Sequence, residues 1–89
     1  LVYRFLSTRM VLGRYYSEAI KASQDGLARF PKSARLHFNA GYAYAMRQDL
    51  ANAVAEFTRE VEVNPVNQDA VYNIQLIKSK STHPLLFRP

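Results

Sequence analysis

The sequence predicts an all-α protein of about five helices arranged as antiparallel hairpins. Apolar residues recur at i, i+4, i+7 and i+11, the spacing of one face of an amphipathic helix, in the series Leu50, Val54, Phe57 and Val61. The same pattern returns along the chain with a period of about 34 residues, a length found among helical repeats. Prolines follow the second and fourth predicted helices, where a proline cannot continue a helix.

This period is visible in the residue types at matched positions. Pro31 pairs with Pro65, and Ala19 pairs with Ala53. Size and polarity also agree in four further pairs, which are Ile20 and Val54, Leu27 and Val61, Ser7 and Gly41, and Met10 and Tyr44. One constant offset relates all of these pairs, which is typical of helical-repeat proteins.

The individual helices follow from this register. The spacing predicts helices over residues 2–13, 16–29, 34–47, 50–63 and 68–80. Asp49 is a suitable N-cap for the fourth helix, and Pro65 disfavours helical geometry at Asn64. The turn at Gln48 and Asp49 is so short that the third and fourth helices are expected to lie antiparallel.

Gly41 lies inside the third predicted helix, where glycine costs about 1 kcal/mol relative to alanine. We interpret it as a close approach between the third and fourth helices. Ala53 removes bulk on the other side, and Phe57 and Tyr44 fill the space beside the contact. The opposite face of the fourth helix is expected to be exposed and carries Asn52, Glu56, Arg59 and Glu60.

One family has this combination of residues. The spacing G-x2-Y, then A-x3-F, then P, in Gly41, Tyr44, Ala53, Phe57 and Pro65, resembles the tetratricopeptide repeat (TPR). The resemblance implies a TPR-like α-solenoid with four segments: a degenerate repeat at 1–33, a repeat at 34–67, a capping helix at 68–81 and an extended tail at 82–89.

The resemblance also implies a groove that binds a protein partner. The first helix of each pair would line it, with Arg4, Thr8, Arg35, Phe38, Asn39, Tyr42, Met46, Asp69, Tyr72, Asn73 and Leu76. The rings of Phe38, Tyr42 and Tyr72 with little charge suit an apolar or amphipathic segment, or a neighbouring subunit. Asp69 would repel a carboxylate, so the carboxylate binding of some family members is not expected.

The C-terminal tail adds a second expected contact. Pro84 biases His83 toward an extended conformation. Leu85, Leu86 and Phe87 would form an exposed apolar patch in water, and such patches tend to mark contact sites. We expect this patch to lie on a neighbouring subunit.

No pattern in the sequence indicates catalysis or a cofactor. His37 and His83 are far apart and have no carboxylate at ligand spacing, so a metal site is not expected. No Gly-rich phosphate loop is present, and the chain has no cysteine. We therefore expect a non-enzymatic accessory or scaffold subunit of a larger assembly, without a cofactor.

The charge distribution leaves an alternative open. The net charge is +5, and basic residues gather toward both ends, which suits contact with RNA or acidic lipid in an organellar complex. The segment 1–17 is Arg-rich and free of acids, as in organellar transit peptides, but its helical spacing places it in the fold. A mitochondrial or a cytoplasmic location is expected, without a transmembrane segment.

Overall fold

The computed structural model describes residues 2–89, among which there are five α-helices and no β-strand. The helices are α1 (Val2–Leu12), α2 (Tyr16–Arg29), α3 (Leu36–Met46), α4 (Leu50–Val63) and α5 (Gln68–Lys78). They pack against one another in a compact globule, which confirms the all-α prediction. The first predicted segment includes Leu1, which lies outside the described residues.

The helix boundaries repeat with the period seen in the sequence. Both ends of α3 follow the ends of α1 at the offset that separates Pro31 from Pro65, and the same offset relates α4 to α2. The turns repeat as well, because Arg14 and Gln48 both adopt left-handed backbone geometry, with φ of 65° and 64°. In each turn the following N–H donates back to a carbonyl near the helix end, the arrangement of a Schellman C-cap.

Helix α3 lies at the centre of the packing. It contacts α1, α2 and α4, and α5 packs against α4. One buried cluster joins α3, α4 and α5 through Phe38, Ala45, Ala53, Phe57 and Ala70. A second joins α1, α2 and α3 through Val11, Ala19, Ile20 and Ala43. Every helix therefore contributes to the core.

The helix ends follow local side-chain chemistry. As predicted, Asp49 caps α4 by accepting the N–H of Asn52 at 3.3 Å, and α4 ends at Val63, two residues before Pro65. Helix α3 begins two residues later than the sequence predicts. The reason is Arg35, whose φ of 81° cannot belong to a right-handed helix.

Gly41 faces α4 at close range, but the atoms nearest to it belong to the Phe57 ring and not to the α4 backbone. A Cβ at Gly41 would lie 2.8 Å from a ring carbon of Phe57. The Phe57 ring, which is fully buried, therefore fills the contact itself instead of packing beside it.

Substitution of Gly41 by leucine is expected to lower the free energy of unfolding by at least about 1–3 kcal/mol, because the added side chain must displace the Phe57 ring. Thermal or urea unfolding followed by circular dichroism measures the loss. Ala51→Leu places the same side chain at an exposed position of α4 and should change stability by less than about 0.5 kcal/mol. Equal stabilities of the two variants would contradict the contact.

Glu60 is a clear departure from the sequence prediction. Expected on the exposed face of α4, it has no exposed surface. Its carboxylate accepts the N–H of Arg35 at 3.0 and 3.1 Å and that of Phe38 at 3.3 Å. It also accepts the side-chain amides of Asn64 at 3.0 Å and Asn67 at 3.2 Å. Glu60 therefore caps the N-terminus of α3, where a negative charge is favourable, and ties it to the turn before α5.

Removal of this carboxylate is expected to be costly. Glu60→Ala leaves the N–H of Arg35 and Phe38 and the amide of Asn67 without their acceptor, and a buried donor left unpaired costs about 1–3 kcal/mol. We expect a loss of at least about 3 kcal/mol in urea unfolding, since several such donors are affected. The control Glu62→Ala removes an exposed carboxylate from the same helix and should have little effect. A Glu60→Ala chain as stable as that control would refute this role.

Candidate protein-binding site

The C-terminal tail, residues 82–89, lies on helices of its own chain. Leu85 and Phe87 pack against the cluster that joins α3, α4 and α5, and Leu85, Leu86 and Phe87 are each half-buried. The expected contact with a neighbouring subunit stays a prediction. The apolar patch is covered in cis because the side chains of α3 and α5 are within its reach.

Asn73 holds the backbone of the tail. Its side-chain oxygen accepts the N–H of Leu86 at 2.8 Å, and its side-chain nitrogen donates to the Leu86 carbonyl at 2.9 Å. Asn73 is fully buried, so both hydrogen bonds are shielded from water. The Asn73 amide therefore holds the main chain of the tail, and this contact does not depend on the side chain at position 86.

The ring of Phe87 occupies an aromatic slot. Its centroid lies 5.8 Å from that of Phe38 in a stacked arrangement, and 4.9 Å from that of Tyr42. The guanidinium carbon of Arg35 lies 4.4 Å from the Phe38 centroid and 5.4 Å from the Phe87 centroid. These distances are those of favourable ring pairs and cation–π contacts.

The next tail residue, Arg88, forms an ion pair with Asp69. Arg88 Nε donates to Asp69 Oδ2 at 2.9 Å, and Nη2 donates to Oδ1. Such a two-point pair is stronger and more specific than a single charged contact. The hydrogen bonds from Arg88 are the main reason that the pKa of Asp69 is lowered, while burial acts in the opposite direction.

These contacts define one surface, which we term the tail groove. It is formed by Arg35, Phe38 and Tyr42 on one side and by Asp69 and Asn73 of α5 on the other. Two further predicted residues extend it, because Met46 and Leu76 line, together with Leu85, a cavity of about 330 Å³. Seven of the predicted residues are therefore brought together around the tail.

The other predicted residues lie elsewhere or at its edge. Arg4 and Thr8 line a cavity of about 380 Å³ beside Pro89. Asn39 is fully buried between helices, where its side-chain nitrogen donates to Ser7 Oγ at 2.8 Å and Thr8 Oγ1 at 3.1 Å. Asn39 therefore joins α3 to α1 and does not face the groove.

The aromatic set also differs from the prediction. Phe38 has no exposed surface, so its removal would open a cavity in the core as well as alter the groove. Tyr72 is 39% exposed, and the third ring beside Phe38 and Tyr42 is Phe87 of the tail. Phe87 lies outside the helical repeats, so the periodic pattern of the sequence could not assign it to the groove.

Arg35 links the groove to the buried carboxylate. Its backbone N–H is held by Glu60, while its side chain lies over the two phenyl rings. The pKa of Arg35 is lowered, mainly by burial and next by the charge of Arg4. Among the described residues, its Nε and Nη2 are buried without a hydrogen-bond acceptor. Arg35 thus has two roles. Its left-handed backbone marks the start of α3, and its side chain covers the aromatic slot.

Outside the groove, His37 has a polar partner that its sequence neighbourhood does not reveal. His37 Nδ1 lies 2.7 Å from Glu56 Oε1, and Arg59 contacts the other oxygen of that carboxylate at 3.1 Å. Within residues 2–89, no three potential metal ligands come together. In the same range, no helix is long and apolar enough to cross a membrane.

No protein-family model, curated protein or solved structure matches the chain. The functional interpretation therefore rests on the fold and on the contacts in the tail groove.

The ion pair predicts how tail docking responds to pH. The hydrogen bonds from Arg88 lower the pKa of Asp69 in the folded chain. Asp69 should therefore titrate below about 3.9, the value for an unfolded chain. The stability from this pair is fully present above that pH and is lost as the pH falls through the lower folded value. Carboxyl carbon NMR measures the titration directly.

The Arg88→Ala variant should raise the pKa of Asp69, because the main cause of the lowering is removed. Lys78→Ala removes an exposed charge from the same helix and serves as the control. If Asp69 titrates identically in wild type and Arg88→Ala, the ion pair does not form in solution.

Proposed function

We propose that the chain is a non-catalytic, TPR-like protein-binding module that serves as an accessory or scaffold subunit of a larger assembly. In this proposal the tail groove binds an extended segment of a partner protein. The observation that carries it is the pair of hydrogen bonds between the buried side chain of Asn73 and the backbone of Leu86. Main-chain hydrogen bonds with side-chain pockets beside them are a recurring mode of peptide recognition.

The repeat register supports the TPR-like part of the proposal. Helix boundaries that recur at one constant offset and the matched turns at Arg14 and Gln48 are expected of two copies of one helical hairpin. Repeat arrays of this kind use one face of stacked hairpins for binding. Helix α5 would then be the terminal cap. A mitochondrial or cytoplasmic location stays a prediction of the sequence.

The alternative of contact with RNA or acidic lipid rests on exposed basic residues toward the two ends, such as Arg9 and Lys80. Arg35 is 9% exposed, and Arg88 is paired with Asp69. These two arginines are therefore already engaged within the chain. Phosphate contacts would also make binding fall steeply with salt, which separates this alternative from binding in an aromatic groove.

The proposal is tested with the full chain after its tail contacts are weakened by Phe87→Ala and Arg88→Ala. A fluorescent peptide with the sequence of residues 82–89 should then bind in trans, as measured by anisotropy. Adding Asn73→Ala should reduce the affinity at least about tenfold, because two shielded hydrogen bonds to the peptide backbone are lost.

Gln75→Ala is the matched control, because it removes an exposed side-chain amide from the same helix, two residues after Asn73. It should leave the affinity unchanged. A tail-weakened chain that remains helical by circular dichroism but binds no peptide would refute the proposed function.

A further inference from the structure

We infer that the tail is an internal mimic of the partner's segment. The external ligand is then an extended segment with an apolar residue, any residue except proline, an aromatic residue and arginine, and it competes with the tail for the groove. This inference rests on the proposed function and adds the chemistry of the ligand and the presence of an internal competitor.

The register of the ligand is set by Asn73. Both hydrogen bonds of its amide go to the N–H and the carbonyl of one residue, Leu86. A ligand residue at that place must supply a backbone N–H, which proline lacks. Its side chain is otherwise unrestricted by Asn73. Selectivity must therefore come from the residues on either side of this position.

The residue after this position enters the aromatic slot. The slot offers two rings, Phe38 and Tyr42, and the guanidinium of Arg35. A flat aromatic side chain satisfies all three at once, through ring pairing and through the attraction of a cation to the ring face. An aliphatic side chain of similar size would fill the volume and lose both interactions.

The following residue meets Asp69. The Asp69 side chain is 11% exposed, whereas the Arg88 side chain is 73% exposed. Loss of the arginine would leave the carboxylate of Asp69 mostly buried and without its counter-charge, and an unpaired buried charge is strongly unfavourable. Arginine fits better than lysine because its two donors match the two carboxylate oxygens. Glutamate at this place would be repelled.

The residue before the Asn73 position packs on the core cluster and lines a cavity with both apolar and polar walls. Leu85 lines it together with Met46, Leu76 and Ile77. The four consecutive tail residues 85–88 thus have four different environments, in the order apolar core contact, buried amide, aromatic slot and carboxylate. A groove with this sequence of environments selects a linear pattern of side chains.

The tail is a short segment whose side chains are partly accessible. None of its residues is fully buried, and its contacts are made by one short extended segment that follows α5. Because the tail is tethered, its effective concentration at the groove is on the order of millimolar. A free segment of the same sequence therefore binds weakly until the tail is displaced, and a segment with better contacts displaces it.

Selectivity is tested by charge reversal in the full, tail-weakened chain carrying Phe87→Ala and Arg88→Ala. Two labelled peptides of residues 82–89 are compared, one with the natural sequence and one with Arg88→Glu. The natural peptide should bind at least about tenfold more tightly, since a two-point charged pair is replaced by repulsion. Asp69→Arg in the protein should reverse the preference.

Competition is tested by comparing the wild-type and tail-weakened chains with the natural peptide. Wild type should bind at least about tenfold more weakly, because its groove is occupied. If Asp69→Arg fails to fold by circular dichroism, Asp69→Asn replaces it and should remove the preference between the two peptides.

The outcomes separate this inference from the proposed function. Equal binding of both peptides, or equal affinity of wild-type and tail-weakened chains, overturns the inference while leaving peptide binding intact. Absence of binding to either peptide overturns both. A wild-type chain that sediments as a dimer, and loses the dimer on Phe87→Ala and Arg88→Ala, would make the occupant the tail of a second copy and overturn the inference.

Discussion

The buried carboxylate of Glu60 is the interaction on which the arrangement of the helices depends. A carboxylate without solvent is strongly unfavourable unless its oxygens are paired, and this one accepts hydrogen bonds from two separate segments. The backbone N–H groups of Arg35 and Phe38 fix where α3 begins. The amides of Asn64 and Asn67 fix the turn that leads into α5. Since α3 and α5 provide the two sides of the tail groove, the groove has its shape because Glu60 is paired on both sides.

Arg35 links this constraint to the tail groove. Its backbone is held in left-handed geometry with the N–H on Glu60, and its side chain is laid across the rings of Phe38 and Phe87. On the other side of the groove, Asn67 donates to Glu60 and caps α5. Helix α5 carries Asp69 and Asn73. The contacts of the tail are therefore anchored in the same polar centre as the core. This coupling explains how so small a fold presents a defined groove.

The helices were predictable from the sequence because their signals are local. Apolar spacing, the cap at Asp49 and the proline at 65 each act within a few residues, and the helix ends agree within about two residues. The groove positions were implied by the family resemblance and not by the period alone, and seven of them lie around the tail. The exposed position assigned to Glu60 was wrong because its partners come from residues 35, 38, 64 and 67. A local signal was available, since Glu60 lies three residues after Phe57 and thus near the same face of α4.

The tail shows a different limit of sequence reasoning. The chemistry of Leu85, Leu86 and Phe87 predicts a contact, but the surface that covers them depends on how α3 and α5 are placed in three dimensions. For the same reason the sequence named Tyr72 as the third ring of the groove, whereas Phe87 supplies it. Asp69, where the sequence predicts repulsion of a carboxylate, is paired with the cation Arg88.

Amide hydrogen exchange at Leu86 tests the account most directly, because that one N–H reports whether the tail is docked by Asn73. The account predicts that the Leu86 amide is protected in the wild-type chain at neutral pH. It also predicts that the protection is lost in Asn73→Ala and reduced in Glu60→Ala. A Leu86 amide that exchanges in wild type as fast as an unstructured peptide would contradict the docked tail.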